Sequence, residues 1–202
     1  MKLFYSPSTC SLVAHILLHE TDLPCTLERV DLASHRTAAG EDFHRLNPKG
    51  YVPLLQLDDG QLLSEGPVIA QYLCELAGRA DLLPPTGAMA RYRVLEWQAY
   101  ISSELHKSFA PLFNPALDAS AKALFTAALL KKFSWLSEHL GQRAYLCNDR
   151  FTLADAYLFT VARWSSLVGL DLSALMPLQR YLAGIGERPA VRAALAAEDL
   201  QP

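Results

Sequence analysis

The apolar residues of this chain change rhythm near residue 78, and that change decides most of what it can fold into. Before it, short strand-like and helix-like patterns alternate. Lys2–Tyr5 reads as a strand, and Ser11–Glu20 as a helix with Leu12, Ile16 and Leu17 to one side. Thr26–Leu32, carrying Leu27 and Val30, is a second strand. It is followed by a polar stretch, Ala33–Gly40, and a helical turn near Phe43. Leu54–Leu57 and Gln61–Leu63 flank Asp58-Asp59-Gly60, and Asp-Gly accepts the positive φ of a tight hairpin. Pro67 stands where a first helical turn tolerates it, with Val68, Ile69, Tyr72, Leu73 and Leu76 at helical spacing behind it.

The resulting order, β-α-β-α-β-β-α, is that of a small α/β domain of thioredoxin-like arrangement, placed at residues 1–78. Gly78–Gly87, with Pro84-Pro85 inside it, reads as a linker at 79–87. An all-helical domain then occupies 88–202. Trp97, Ile101, Leu105 and Phe109 recur every four residues, and so do Phe125, Leu129 and Phe133, extended by Leu136 and Leu140. Thr152-Leu153-Ala154-Asp155 opens another helix as a capping box with an acid at N3. Leu175, Leu178, Leu182 and Ile185 mark one more, closed by Arg188-Pro189.

Composition removes several function classes. The 202 residues are 51% apolar and 19% charged, with a net charge of −3, and carry no basic run. A phosphate-backbone partner therefore does not fit, and no apolar stretch approaches the ~20 residues that span a bilayer. The apolar run Leu12–Leu18 is broken by polar residues, with no small-residue cleavage site behind it, so it is expected to be folded structure rather than a signal peptide. Cys10, Cys25, Cys74 and Cys147 are widely spaced, without Cys-x-x-Cys or ligand-like Cys/His spacing. This points away from a disulfide framework or a metal site and towards a reducing cytoplasm.

Three places carry chemistry. Cys10 follows the first strand and the turn Ser6-Pro7-Ser8-Thr9 and precedes the first helix, where backbone N–H groups and the helix dipole favour thiolate. Val52-Pro53 precedes a strand. On local sequence an ordinary trans proline is the commoner case, but its place in the β-α-β-α-β-β-α order favours a cis bond that frees the Val52 backbone for an extended peptide. Ser64-Glu65-Gly66-Pro67 opens a helix whose N-terminus either binds a carboxylate, with Glu65 facing an ammonium group, or is simply capped. Together these segments suit a small anionic thiol. In the helical half, Ala99, Ser103 and His106 form a small, polar stripe beside the apolar row, and His106 or Lys107 is expected to stabilise a nearby thiolate unless the histidine is merely structural. Trp164 is either core or the wall of a cavity.

With these pieces in place, the chain resembles the cytosolic glutathione transferases, and within them the bacterial beta class. The agreeing segments are MKLFYSPSTCSL, NPKGYVPLL, LLSEGPVIAQYL, EWQAYISSELHKSF and RFTLADAYLFTVARW. The resemblance implies a homodimer that uses glutathione as co-substrate, needs no other cofactor, and acts on small hydrophobic electrophiles. Cys10 would face the glutathione sulfur and form a mixed disulfide with it, giving glutathione-dependent thiol–disulfide or peroxide chemistry beside a slower conjugation, with Tyr5 and Ser11 as nearby hydroxyls. Val52, before Pro53, would pair with the cysteinyl unit, and Glu65 and Gly66 would hold the γ-glutamyl end. His106, with Lys107, would lie near Cys10. Ser103 and Glu104 would approach a glutathione held by the partner subunit, and His106, Phe109 and Trp164 would line the electrophile cleft. His35 replaces a lysine that commonly pairs with the glycyl carboxylate, and Ala99 replaces a common asparagine. A non-catalytic glutathione- or hydrophobe-binding protein of the same fold is the alternative, and a regulatory protein on that fold is a third reading.

Overall fold

The computed structural model describes residues 1–147 and 150–201; residues 148, 149 and 202, which the expected helical domain includes, lie outside the described set. Strand β1 (Lys2–Tyr5) pairs in parallel with β2 (Thr26–Asp31). A parallel pair needs a long crossover, and α1 (Leu12–Thr21) supplies it. On its other side β1 pairs antiparallel with β4 (Leu54–Gln56), Leu3 opposite Leu55. The hairpin foreseen around Asp58-Asp59-Gly60 joins β4 to β5 (Leu62–Ser64), with Gly60 at φ +86°. The polar stretch after β2 holds a two-residue strand, β3 (Arg36–Thr37), which completes the sheet order β3-β2-β1-β4-β5.

Side chains alternate across β1. Phe4 turns to one face and meets Phe43 of the 3₁₀ turn Phe43–Arg45, with ring centroids 5.7 Å apart, in a cluster completed by Val30, Val52 and Leu54. Tyr5 turns to the other face and meets His15 of α1, 5.8 Å between centroids. Helix α2 (Gly66–Leu76), with Pro67 in its first turn, closes the α/β part.

The chain divides into two compact units, Pro84–Glu187 and Met1–Leu83 joined by Arg188–Pro202. The second grouping differs from the expected boundary. Pro189 does not merely stop a helix: it opens α9 (Pro189–Ala197), since proline pre-sets the φ of a first helical turn. Both Arg188 Nε and Nη2 donate to the Glu20 carboxylate, at 2.8 and 3.0 Å, tying the start of α9 to the end of α1.

The helical unit contains α3 (Met89–Tyr100), a π-helical segment (Ile101–His106), α4 (Lys107–Phe113), α5 (Ala119–Leu140), α6 (Leu153–Ala162), α7 (Trp164–Leu167) and α8 (Met176–Gly186). Every residue of α6 is buried, as befits a helix apolar on all sides. Among the described residues no helix is long and apolar enough to cross a membrane.

The capping box at the start of α6 reaches further than the sequence implied. Asp155 accepts from the Thr152 N–H and hydroxyl at 2.8 and 2.9 Å, and also from the Leu146 N–H and the Tyr181 hydroxyl, both at 2.8 Å. An ordinary N-terminal cap contributes about 1 kcal/mol. Removing this carboxylate leaves four buried donors without it, so Asp155→Ala is expected to lower unfolding free energy by about 3 kcal/mol or more. Urea denaturation checks this; a loss near 1 kcal/mol would show that the Leu146 and Tyr181 bonds contribute little.

Candidate active site

The turn between β1 and α1 is held by its own hydroxyls. Thr9 Oγ1 and Ser11 Oγ both donate to the Ser6 carbonyl, at 2.8 and 3.1 Å, and lie 2.8 Å from each other. Ser11 is fully buried. Its hydroxyl is spent on the turn and is not presented to a ligand, which corrects its expected binding role. Tyr5 likewise faces His15, and burial, with Glu198 next, raises its hydroxyl above the ordinary tyrosine value.

The turn presents Cys10, whose thiol donates to the Val52 carbonyl at 3.3 Å. The Val52–Pro53 bond is cis. The expectation of a thiolate at Cys10 does not hold in this state: burial pushes the thiol up to about 12, opposed by the residue's own N–H and reinforced by Glu65. Desolvation penalises the anion more than the start of α1 favours it. Cys10 is therefore a neutral hydrogen-bond donor at neutral pH.

The loop that carries Val52 is shaped by Asn47, a residue the sequence reading did not single out. It is buried, its side chain donates to the Tyr51 carbonyl at 2.7 Å, and it accepts from the Lys49 N–H at 3.2 Å. Beyond Pro53 stands the start of α2: a Cβ built on Gly66 would meet the Pro53 ring at 3.6 Å. Glu65 precedes it at φ +71°. The Val52 and Gly66 amides have no hydrogen-bond partner among the described residues. Glu65 already has an ammonium partner, Lys49, whose Nζ lies 2.6 Å from Glu65 Oε1 and 2.9 Å from Ser64 Oγ. Lys49 was also missed; its signal was its place in the Asn47-Pro48-Lys49-Gly50 turn. Cys10, Val52, Pro53, Glu65 and Gly66 thus come together.

His35 packs against His44, with centroids 4.3 Å apart, and its buried Nδ1 has no hydrogen-bond partner among the described residues. Both rings lie on Gly50, which has φ +70°; a Cβ there would come within 2.7 Å of His44 Cε1.

In the helical unit, Ser103, Glu104 and His106 lie in the π segment, a feature often found at functional sites. Ser103 Oγ donates back to Ala99 at 3.0 Å. Lys132 of α5 donates to the Glu104 carbonyl at 2.9 Å and pairs with its carboxylate at 2.9 Å. His106 Nδ1 and the Tyr157 hydroxyl are 2.7 Å apart, and the ring meets Trp164 edge-on at 4.7 Å. Phe109 and Phe113 stand 5.6 and 6.0 Å from Trp164; Phe109 is fully buried and Trp164 and Tyr157 nearly so, which places these three in the core, while Phe113 is exposed. Burial, then Lys107, lowers His106 to about 4. It is neutral near pH 7 and cannot act as a cation towards a thiolate; Lys107 is exposed.

A thioredoxin-like sheet bearing a cysteine turn and a cis-proline loop, followed by a helical unit, defines a glutathione-transferase type of fold. Residues 7–76 match the glutathione S-transferase N-terminal domain and residues 115–197 the C-terminal domain. The chain is 46% identical over 201 residues to glutathione S-transferase GstA of Escherichia coli O157:H7, covering all of both chains. It is 35% identical to glutathione S-transferase GST-4.5 of Xanthomonas campestris, covering 99% of this chain and 100% of that one. Among solved structures, a sphingomonad glutathione S-transferase complexed with glutathione superposes with a TM-score of 0.95 at 42% identity, covering 100% of both chains. A bacterial beta class enzyme from Sphingomonas chungbukensis gives 0.95 at 40% identity, again over 100% of both. The chain belongs to the glutathione S-transferase family, in its bacterial beta class, and is an enzyme of that family.

Two stability measurements test this geometry. Gly50→Ala places a side chain in the left-handed region and is expected to cost about 1–2 kcal/mol in urea denaturation. His106 binds its proton more weakly folded than unfolded, so its contribution to stability is complete above the unfolded value of about 6.5 and is lost as pH falls towards about 4. The loss attributable to this residue is on the order of 3 kcal/mol, and His106→Gln is expected to flatten that part of the pH–stability curve. An unchanged curve would mean that His106 is not held neutral by burial.

Proposed function

We propose that the chain joins glutathione to small hydrophobic electrophiles and that Cys10 also exchanges with glutathione disulfide. The observation that carries this reading is the Cys10 thiol at 3.3 Å from the Val52 carbonyl, beside the amides of Val52 and Gly66. A carbonyl has two lone pairs, so Val52 can accept a peptide N–H as well as the thiol, and its own N–H can serve the peptide's carbonyl. An extended tripeptide then lies along Val52 with its cysteinyl sulfur towards Cys10. Its γ-glutamyl carboxylate meets the start of α2, and its ammonium shares Glu65 with Lys49.

Conjugation needs the glutathione sulfur as thiolate. Two neighbouring thiolates repel, whereas a neutral Cys10 S–H can donate to the glutathione anion. The raised value of Cys10 therefore supports conjugation. In the aromatic group around Trp164, neutral His106 offers one polar contact to an apolar electrophile. Glutathione serves as co-substrate, and a homodimer is the working assembly, in which Ser103 and Glu104 approach the partner's glutathione. Four free thiols support a reducing, cytoplasmic setting.

Exchange, which the sequence suggests as the easier reaction, is on this reading the slower one, because the Cys10 thiol keeps its proton. Cys10 must lose its proton; its thiolate attacks one sulfur of glutathione disulfide, a Cys10–glutathionyl disulfide forms, and the departing glutathione thiolate takes up a proton. Because the thiolate is the reactive form and lies far below half-populated at neutral pH, the rate at Cys10 is expected to rise about tenfold per pH unit through the mildly alkaline range. Mass spectrometry of the intact protein against pH reads this directly, and a plateau near neutrality would contradict it. Cys10→Ala is expected to abolish the glutathionyl increment while part of the conjugation rate with chlorodinitrobenzene survives. An increment persisting on that variant, or no conjugation above background by the unmodified protein, would overturn the reading.

A further inference from the structure

We propose that Glu198, at the end of α9, is a positioning residue for Cys10. Its Oε2 accepts from the Ser8 N–H at 3.3 Å, two residues before the cysteine, and its Oε1 lies 2.9 Å from His15 Nδ1. Ser8 stands at φ +63°, a conformation that non-glycine residues seldom adopt unless their surroundings hold them there. The Thr9 and Ser11 hydroxyls fasten the turn from inside; Glu198 fastens its tip from outside. His15 completes the link, because it lies on the helix that Cys10 leads into, with the tilted Tyr5 ring at 5.8 Å on one side and His19 stacked at 5.2 Å on the other.

The Glu198 side chain is fully buried. Burying a carboxylate carries a desolvation penalty that an apolar side chain of similar size avoids, so packing α9 on α1 does not require it. Arg188 and Glu20 already clamp the two helices at their opposite ends. What Glu198 adds is a hydrogen bond to the Cys10 turn and a second polar contact, to His15 of α1.

This inference rests on the reading that Cys10 is the reacting thiol, and the test separates the two. In the full-length protein, alkylation by iodoacetamide is followed at each cysteine by peptide mapping, with partly exposed Cys25 and Cys147 and buried Cys74 as internal references. Glu198→Met removes both acceptor oxygens at similar side-chain volume, frees the turn and exposes the already partly exposed thiol further. Alkylation at Cys10 is expected to rise about tenfold and the kcat of conjugation to fall about tenfold, with the other three cysteines unchanged. A general loosening of the fold would raise all four together; that result, or no change at Cys10, overturns the proposal. Amide exchange supplies a second measurement on the unmodified protein, independent of whether the variant folds: Ser8 is expected to be protected like the α1 amides, and exchange at an open-loop rate overturns the proposal. If the unmodified protein forms no glutathionyl adduct at Cys10, the exchange function fails, while the alkylation comparison still decides the role of Glu198.

Discussion

A single weak hydrogen bond, from the Cys10 thiol to the Val52 carbonyl, joins two segments 42 residues apart and sets the chemistry of the α/β unit. On one side it depends on the Ser6–Ser11 turn, closed by three hydroxyl contacts. On the other it depends on the Asn47–Pro53 loop, shaped by a buried asparagine amide. The bond also explains why the helix dipole does not prevail at Cys10. A dipole acts through the first turn and is worth fractions of a kcal/mol to about two, whereas a sulfur drawn inward towards a carbonyl loses its water and faces an oxygen that favours the protonated form.

The helical unit follows a similar logic with a different device. Apolar residues at every fourth position drift around a 3.6-residue helix, and the wider π turn at Ile101–His106 takes up part of that drift, so Ile101, Leu105 and Phe109 all stay buried. The same widening disturbs the regular ladder of backbone bonds. Lys132 reaches across from α5 to the Glu104 carbonyl and carboxylate, and Ser108 donates to that carbonyl as well, at 2.6 Å. His106 is thereby presented from a helix distorted at that point and fixed by a neighbour.

Much of the molecule was legible in its residues because the signals were local. The Asp58-Asp59-Gly60 hairpin, Pro67 in a first turn and the Thr152–Asp155 box each depend on neighbours within a few positions, and each appears where expected. What was not legible depended on distant partners. Pro189 closes one helix as well as it opens the next, and only contact with α1 assigns α9 to the first unit. Lys49 and Glu65 are 16 residues apart and meet through the cis-proline loop. The protonation of Cys10 and of His106 follows from burial, which no spacing encodes. The four-residue rhythm of Trp97–Phe109 reads as a regular helix; the structure buries Ile101, Leu105 and Phe109 across the π turn and leaves Trp97 half-buried before it.

Conjugation and exchange ask opposite things of Cys10. The first is served by a thiol that keeps its proton and donates to the glutathione sulfur; the second needs that proton gone. One environment cannot favour both; burial with Glu65 nearby keeps the proton on the thiol, which on the proposed reading suits the first. Glu65 then acts in two directions. While its negative charge is incompletely screened it raises the thiol, and a ligand ammonium placed beside it, adding to that of Lys49, removes part of this effect. On the proposed reading, occupation of the γ-glutamyl position and acidity at Cys10 would be linked: a tripeptide bringing the second sulfur would also weaken the field that keeps the first one protonated. The coupling passes through charges fixed at the start of α2 and requires no movement of the fold.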